Sequence, residues 1–182
     1  TGNVFLESWV PGTEIACRAT PNDGTDNGNY AEVSVIVDNT APVVNSVTLS
    51  SSSVYTNDTI AATSVLSDSD ASQSWVLTAN YEWFVDGASV QNGSLNTLDG
   101  VNHFNRDEEV FVVVTPNDGV ENGTSLQSAS VIVSNTAPVM TSVTVTPDPA
   151  TAGTDDLTCD ALATDVDGDA IVYTYEWSDS SG

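Results

Sequence analysis

The run Asp165-Val166-Asp167-Gly168-Asp169 places three carboxylates at alternate positions around a glycine. Calcium is a hard cation that takes oxygen ligands, and short Asp side chains on a tight loop bring several of them to one point. The distal bidentate Glu of the helix–loop–helix calcium motif is missing, so that motif is not supported. A second run, Asp68-Ser69-Asp70, keeps two carboxylates and loses the third near Ser72. Asn117-Asp118-Gly119 and the segment Asp38-Asn39 add further oxygens. The chemistry on offer is calcium binding, with Asp165, Asp167, Asp169, Asp68, Asp70, Asp118 and Asp38 as candidate ligands. The competing reading is structural: Asn-Asp-Gly is a preferred hairpin turn, and lone Asp residues cap turns.

Other reactive residues are few. Cys17 and Cys159 are the two thiols and His103 the one imidazole. Asp99, Asp107 and Glu108 lie near His103 in sequence, but no motif joins them to it, and a strand-surface position is expected for it. No nucleophile elbow, HExxH, P-loop or dinucleotide fingerprint occurs. The chain is therefore not expected to be an enzyme. Glycosylation sequons begin at Asn57, Asn92 and Asn122, all in expected loops or strand edges.

Composition decides what must position these residues. Thr, Ser, Asn and Val dominate and Lys is absent. Thr and Val suit a pleated, half-buried surface, and Asn, Ser and Gly suit turns, so the chain reads as all-β. There are 26 acidic residues and 2 basic ones, Arg18 and Arg106. A net charge of −24 sets aside nucleic acid and anionic membrane surfaces as partners. Self-repulsion on this scale calls for screening, by salt or by bound divalent cations. No apolar run is long enough to span a membrane, so none is expected to insert. Thr1 to Leu6 lacks the pattern of a signal peptide; an export signal is expected outside these residues.

Internal repetition is the strongest signal. Thr20-Pro21-Asn22-Asp23-Gly24 recurs as Thr115-Pro116-Asn117-Asp118-Gly119, a shift of 95. Asn39-Thr40-Ala41-Pro42-Val43 recurs as Asn135-Thr136-Ala137-Pro138-Val139, a shift of 96. Asp68-Ser69-Asp70 returns as Asp165-Val166-Asp167, and Tyr81-Glu82-Trp83 as Tyr175-Glu176-Trp177. The expected organisation is half, whole, half: 1–41 the second half of one repeat, 42–137 a complete repeat, and 138–182 the first half of the next. In the whole repeat, strands are expected over Val43–Leu49, Thr59–Leu66, Trp75–Val85, Val110–Thr115 and Ser125–Val133. Shorter pieces are expected at Ser94–Leu98 and Val101–Phe104. Cys17 transposes onto Val112 and Cys159 onto Ala62, which are expected to face each other in one core.

A period near 95 suits an immunoglobulin-like sandwich of about 100 residues. The segment Val37-Asp38-Asn39-Thr40-Ala41-Pro42 and the Asp165-Val166-Asp167-Gly168 loop resemble the calcium-binding elements of cadherin-type repeats. Tyr81-Glu82-Trp83 followed by Phe84-Val85-Asp86-Gly87 is similar to PKD-type repeats. The whole pattern resembles the immunoglobulin-like arrays of large bacterial or archaeal surface proteins. That resemblance implies tandem immunoglobulin-like β-sandwiches of about seven strands each. It also implies an inter-sheet disulfide at the positions held by Cys17 and Cys159, packed on Trp83 or Trp177, in an oxidising compartment. The partner of each cysteine would lie in an adjacent copy or in chain outside these residues; buried free thiols are the alternative.

The resulting expectation is an extracellular or cell-surface structural and adhesive module, joined head to tail to further copies of the repeat, with calcium stiffening the joints. A cell-surface or matrix ligand is a further candidate partner. The runner-up is a carbohydrate-binding accessory module of a secreted enzyme, for which Tyr81, Trp83, Tyr173, Tyr175 and Trp177 would supply a platform. Alternation puts Tyr81 and Trp83 on one face, and core packing accounts for them better.

Overall fold

Alternating Val, Ile, Ala and Thr put one apolar face on each strand, and such a face must be covered. The computed structural model describes residues 3–5, 7, 9–70 and 76–179. In chain order the strands are β1 (Glu14–Ala19), β2 (Ala31–Ile36), β3 (Val43–Leu49), β4 (Val54–Tyr55), β5 (Thr59–Ser67), β6 (Thr78–Val85), β7 (Ala88–Gly93) and β8 (Thr97–Asp99). One helical turn, α1 (Gly100–His103), precedes β9 (Glu109–Asn117), β10 (Leu126–Gln127), β11 (Val131–Ser134), β12 (Val139–Thr146) and β13 (Thr158–Thr164). The chain is all-β, as its composition implied.

Strands β3 to β11 form two sheets. One has the order β4-β11-β9-β6-β7, with β10 also on β9; the other is β3-β5-β8. Val44, Ile60, Ala62 and Leu98 from the smaller sheet share one buried cluster with Trp83, Val85, Val110, Val112, Val114, Val131 and Val133 from the larger. This is a β-sandwich arrangement. Trp83 lies at its centre, fully buried, opposite Val112 in the β6–β9 register, and its indole N–H donates to the Leu95 carbonyl at 3.3 Å. Ala62 and Val112 sit in the same cluster from opposite sheets.

Several expected elements differ in detail. Val101–Phe104 is not a strand: Asp99 caps α1 by accepting from the Val101 N–H, and Phe104 turns inward and is buried. Only glycine fits at position 100, where a Cβ would lie 2.6 Å from both the Asp58 carbonyl and the Phe104 ring. His103 therefore ends a helical turn instead of lying on a strand. The Ser125–Val133 strand is broken at Ser128, whose hydroxyl accepts from the Val112 N–H while its own N–H donates to the Val112 carbonyl. Strand β7 was not anticipated, although the Asp86-Gly87 turn before it was; both turn residues have positive φ, as a two-residue hairpin loop requires. With two-residue β4 and β10 included, nine strands run from β3 to β11 among the described residues, against about seven expected. Trp75, the expected start of the third strand, lies outside the described residues.

The flanking hairpins repeat this geometry without its core. Strand β12 pairs with β13 as β3 pairs with β5: Val145↔Cys159 matches Leu49↔Ala62. A register shift falls between Met140 and Ser142 in one and between Val44 and Ser46 in the other, 96 residues apart. Strand β1 pairs with β2 as β9 pairs with β11, Ile15↔Val35 matching Val110↔Val131. Equivalent residues differ sharply in burial: Val131 is 9% exposed and Val35 63%; Val44 is 7% and Met140 50%; Trp83 is 0% and Trp177 55%.

Trp83→Ala should cost about 3–5 kcal/mol, because its neighbours can close only part of the cavity. Trp177→Ala, at the equivalent but exposed position, should stay within about 0.5 kcal/mol in dilute, reduced protein. Urea unfolding curves for the two variants check the contrast. The double variant A62C/V112C should close a bridge on oxidation, worth at most about 4 kcal/mol. In a C17S/C159S background, persistence of both remaining thiols after oxidation, by thiol titration, counts against the shared-core placement.

Candidate cation-binding joints

The acidic runs lie where one repeat-length segment meets the next, and hairpin loops hold them there. In the loop after β9, Asn117 Oδ1 accepts from the Gly119 N–H, while Asp118 Oδ1 accepts from the N–H groups of Val120 and Glu121 at 2.7 and 2.8 Å. The same net recurs after β1, with Asp23 accepting from Thr25 and Asp26 and Asn22 bonding Asn27 as Asn117 bonds Asn122. Gly123 makes room for the incoming chain: a Cβ there would sit 1.7 Å from the Pro42 carbonyl oxygen. The linker before β3 is thereby laid against this loop, and Val43 bridges Thr124.

At the first joint, the Thr40 N–H donates to Asp70 Oδ2 at 2.8 Å, and the Asp70 N–H donates to Asp68 Oδ1 at 2.6 Å. Asn39 Nδ2 donates to Asp118 Oδ2 at 2.9 Å and to Glu121 Oε1 at 2.7 Å. Four carboxylates thus surround a short linker. Two buried oxygens there, Asn39 Oδ1 and Asp68 Oδ2, accept no hydrogen bond.

The second joint repeats the pattern. The Thr136 N–H donates to Asp167 Oδ2 at 2.5 Å, and the Asp167 N–H to Asp165 Oδ1 at 2.8 Å. Gly168 takes φ +78° to turn the loop, and oxygens of Asp165, Asp167 and Asp169 gather within 4.8 Å of one another. Among the described residues this is the one group of three or more carboxylate, imidazole or thiol side chains so gathered. Asp167 Oδ1, Thr136 Oγ1 and the buried Thr56 Oγ1 accept or donate no hydrogen bond. Arg106 adds what the first joint lacks: its Nη1 donates to Asn135 Oδ1 at 2.7 Å and to Asp169. Pro11 stands 95 residues before Arg106, at the matching position of the sequence repeat, and Ser72, the counterpart of Asp169, lies outside the described residues.

These orphaned atoms are all oxygens, in a setting with carboxylates in excess, which is the donor set a hard divalent cation takes. The residues therefore fit calcium. At the second joint, Asp165, Asp167, Thr136 and Thr56 would hold the ion; Asp169 is already paired with Arg106. At the first, Asp68, Asp70 and Asn39 are the matching set. Asp118 fits less well, since each of its oxygens already accepts a hydrogen bond. Asp38 is exposed, and its neighbour Asn39 makes the contacts. Asn117 braces its own loop.

The remaining sequence-derived positions are scattered. Cys17 is exposed, Cys159 partly buried, and both are free thiols. Asn57, Asn92 and Asn122 are exposed; Asn92 and Asn122 each accept from another Asn side chain, Asn80 and Asn117, at 2.8 Å. Arg106, Glu121 and Thr56 were not singled out from sequence. Arg106 carried one signal, its rarity in so acidic a chain.

Asp118 is held below the ordinary carboxylate range, first by the Glu121 N–H and then by the Asn39 amide and the Val120 N–H. Asp167 is lowered by the Thr56 hydroxyl, which lies beside it outside hydrogen-bond geometry, then by the Thr136 N–H and Arg106. A depressed folded-state pKa stabilises above the unfolded value, about 3.9 for Asp, and that stability is lost as pH falls through the lower folded value. Melting temperature should therefore fall as pH is taken from about 4 downward, and D118N should flatten the fall. An unchanged acid profile in D118N, measured by thermal melts at fixed ionic strength, rules this role out. No protein-family model and no curated protein matches the chain.

Proposed function

We propose that this chain is a segment of an extracellular structural or adhesive array, built from immunoglobulin-like sandwiches joined head to tail and stiffened by calcium at each joint. One observation carries the reading. At two points 96 residues apart, a linker threonine N–H docks on the second carboxylate of an Asp-x-Asp loop, Thr40 on Asp70 and Thr136 on Asp167. A joint made twice in the same way is what a repeating rod needs. Buried oxygens without hydrogen bonds beside each docking contact support an ion at the hinge of adjacent segments. In this reading residues 42–137 are one complete repeat, with 1–41 and 138–182 parts of its neighbours.

Calcium would act mechanically. An ion shared between a linker and a loop replaces carboxylate repulsion with attraction, so a flexible connection becomes a fixed angle. The acidic surface keeps copies soluble and apart except where oxygens converge on the ion.

The carbohydrate-binding alternative needs exposed aromatics in one plane. Tyr175 and Trp177 are exposed, but the neighbouring Tyr173 and Tyr175 rings are tilted by 35° and do not form a flat platform. Their counterparts in the whole sandwich face inward, Trp83 fully and Tyr81 partly.

Calcium titration tests the proposal. At free calcium a hundredfold above its Kd, stability should rise by about 2.7 kcal/mol for each joint that takes an ion. D165N/D167N should remove the second joint's share of that rise, and should also lower the calcium-free melt somewhat, because the Asp167 carboxylate holds the Thr136 N–H. A melting temperature indifferent to calcium ends the stiffening role.

A further inference from the structure

One turn is built twice in this chain, and only one of the two carries a cation. Before β9, the Asp107 N–H donates to the Val133 carbonyl at 2.8 Å, the Glu108 N–H to the Asn105 carbonyl, and the Val133 N–H to the Glu108 carbonyl at 3.0 Å. Before β1, the Gly12 N–H donates to the Val37 carbonyl at 2.8 Å, the Thr13 N–H to the Val10 carbonyl, and the Val37 N–H to the Thr13 carbonyl at 3.0 Å. Asp107 and Gly12 take similar positive φ values, 70° and 81°. Arg106 and Pro11 therefore hold the same place in the same turn. Each turn is bonded to the residue that leads into a linker, Val133 before Asn135 and Val37 before Asn39, so each stands beside a joint.

What the two turns offer there differs. Arg106 Nη1 donates to Asn135 Oδ1 at 2.7 Å in the linker and to Asp169 in the loop after β13, while its Nε donates to Asp107. One guanidinium thus ties the sandwich, the linker and the following loop. Pro11 has no side-chain donor, and the position matching Asp169 is Ser72. Cation and carboxylate are present together at one joint and missing together at the other. Arg18, the chain's other cationic side chain, is bonded to Glu32 at 2.7 Å and lies over the Tyr30 ring, so it serves neither joint.

We infer that Arg106 and Asp169 form a built-in charge latch that fixes the second joint without an ion, whereas the first joint closes only when calcium is bound. This deepens the calcium-joint reading and rests on it for the first joint alone. Withdrawal of calcium frees the first joint and leaves the second set, so the chain yields at one place and not along its length. The latch also selects the ion's ligands at the second joint. With Asp169 committed to Arg106, the ion is left Asp165, Asp167, Thr136 and Thr56, which is 7% exposed and has no hydrogen-bond partner. A fixed positive charge beside these carboxylates weakens their hold on a second one. An exposed ion pair adds little to fold stability. Choosing between a closed and an open linker asks far less of it than folding does.

The test places spin labels on full-length chains and reads the width of the distance distribution between them. T158C with A88C, in a C17S/C159S background, spans the second joint; native Cys17 with A88C, in a C159S background, spans the first. Thr158, Cys17 and Ala88 are all exposed. With calcium chelated, the second joint should give a narrow distribution and the first a broad one, which added calcium narrows. R106Q and D169N should each broaden the chelated second joint to the width of the first. The backbone bonds that hold the turn survive R106Q, and an unchanged near-ultraviolet spectrum checks that the sandwich is intact. Molar salt should broaden the chelated second joint of the parent chain and do nothing further to R106Q. A second joint that stays narrow in R106Q overturns the inference, as does one already broad in the parent chain or a first joint equally narrow without calcium. Calcium that narrows the first joint while R106Q changes nothing overturns the latch and leaves the calcium reading standing. Broadening by R106Q with no calcium effect at either joint keeps the latch and removes calcium.

Discussion

A sheet with one apolar face holds its place only when another layer takes that face out of water. In this chain the constraint is met between β3 and β11, where two sheets close on Trp83, and it is left unmet on the hairpins at either side. Identical registers therefore occur in two environments. Burial follows from the opposite layer, while pairing follows from local alternation and turns. The hairpin after β1 keeps its Asn22–Asn27 and Asp23 hydrogen bonds with no core beneath it, which shows how much of the loop geometry is written in five or six residues.

The joints obey a different constraint. With so few cations in the chain, carboxylates must find N–H donors, the rare arginine or an ion. Backbone N–H groups serve Asp70, Asp118 and Asp167. Arg106 serves Asp169 at the second joint, where one loop brings three carboxylates together, so part of that loop's charge is balanced locally. What remains unpaired is a small set of inward oxygens.

How much of this was legible in sequence depended on range. Val43–Leu49 is a strand over the residues expected, because alternation after Pro42 and the turn beyond Leu49 both mark its ends. The cluster of Asp165, Asp167 and Asp169 was visible because its members are neighbours. Asn39 reaching Asp118 and Glu121 spans 79 and 82 positions, and Arg106 reaching Asp169 spans 63, distances over which spacing carries no information. The helical turn at Gly100 was missed for a related reason: Val101 and Phe104 read as strand residues, and the Asp99 cap and the close approach of Asp58 to Gly100 appear only in three dimensions.

The bulge shared by β3 and β12 has a consequence for a chain whose sequence repeats itself in short runs. Side chains on a strand alternate, so a slip of one residue would turn the whole apolar set outward. Segments of related sequence in one chain could otherwise exchange strands at other offsets during folding. One irregular residue at a matching place in both strand pairs works as a notch on a key. It lets a strand seat at a single offset, and keeps a monotonous chain from folding into the wrong neighbour.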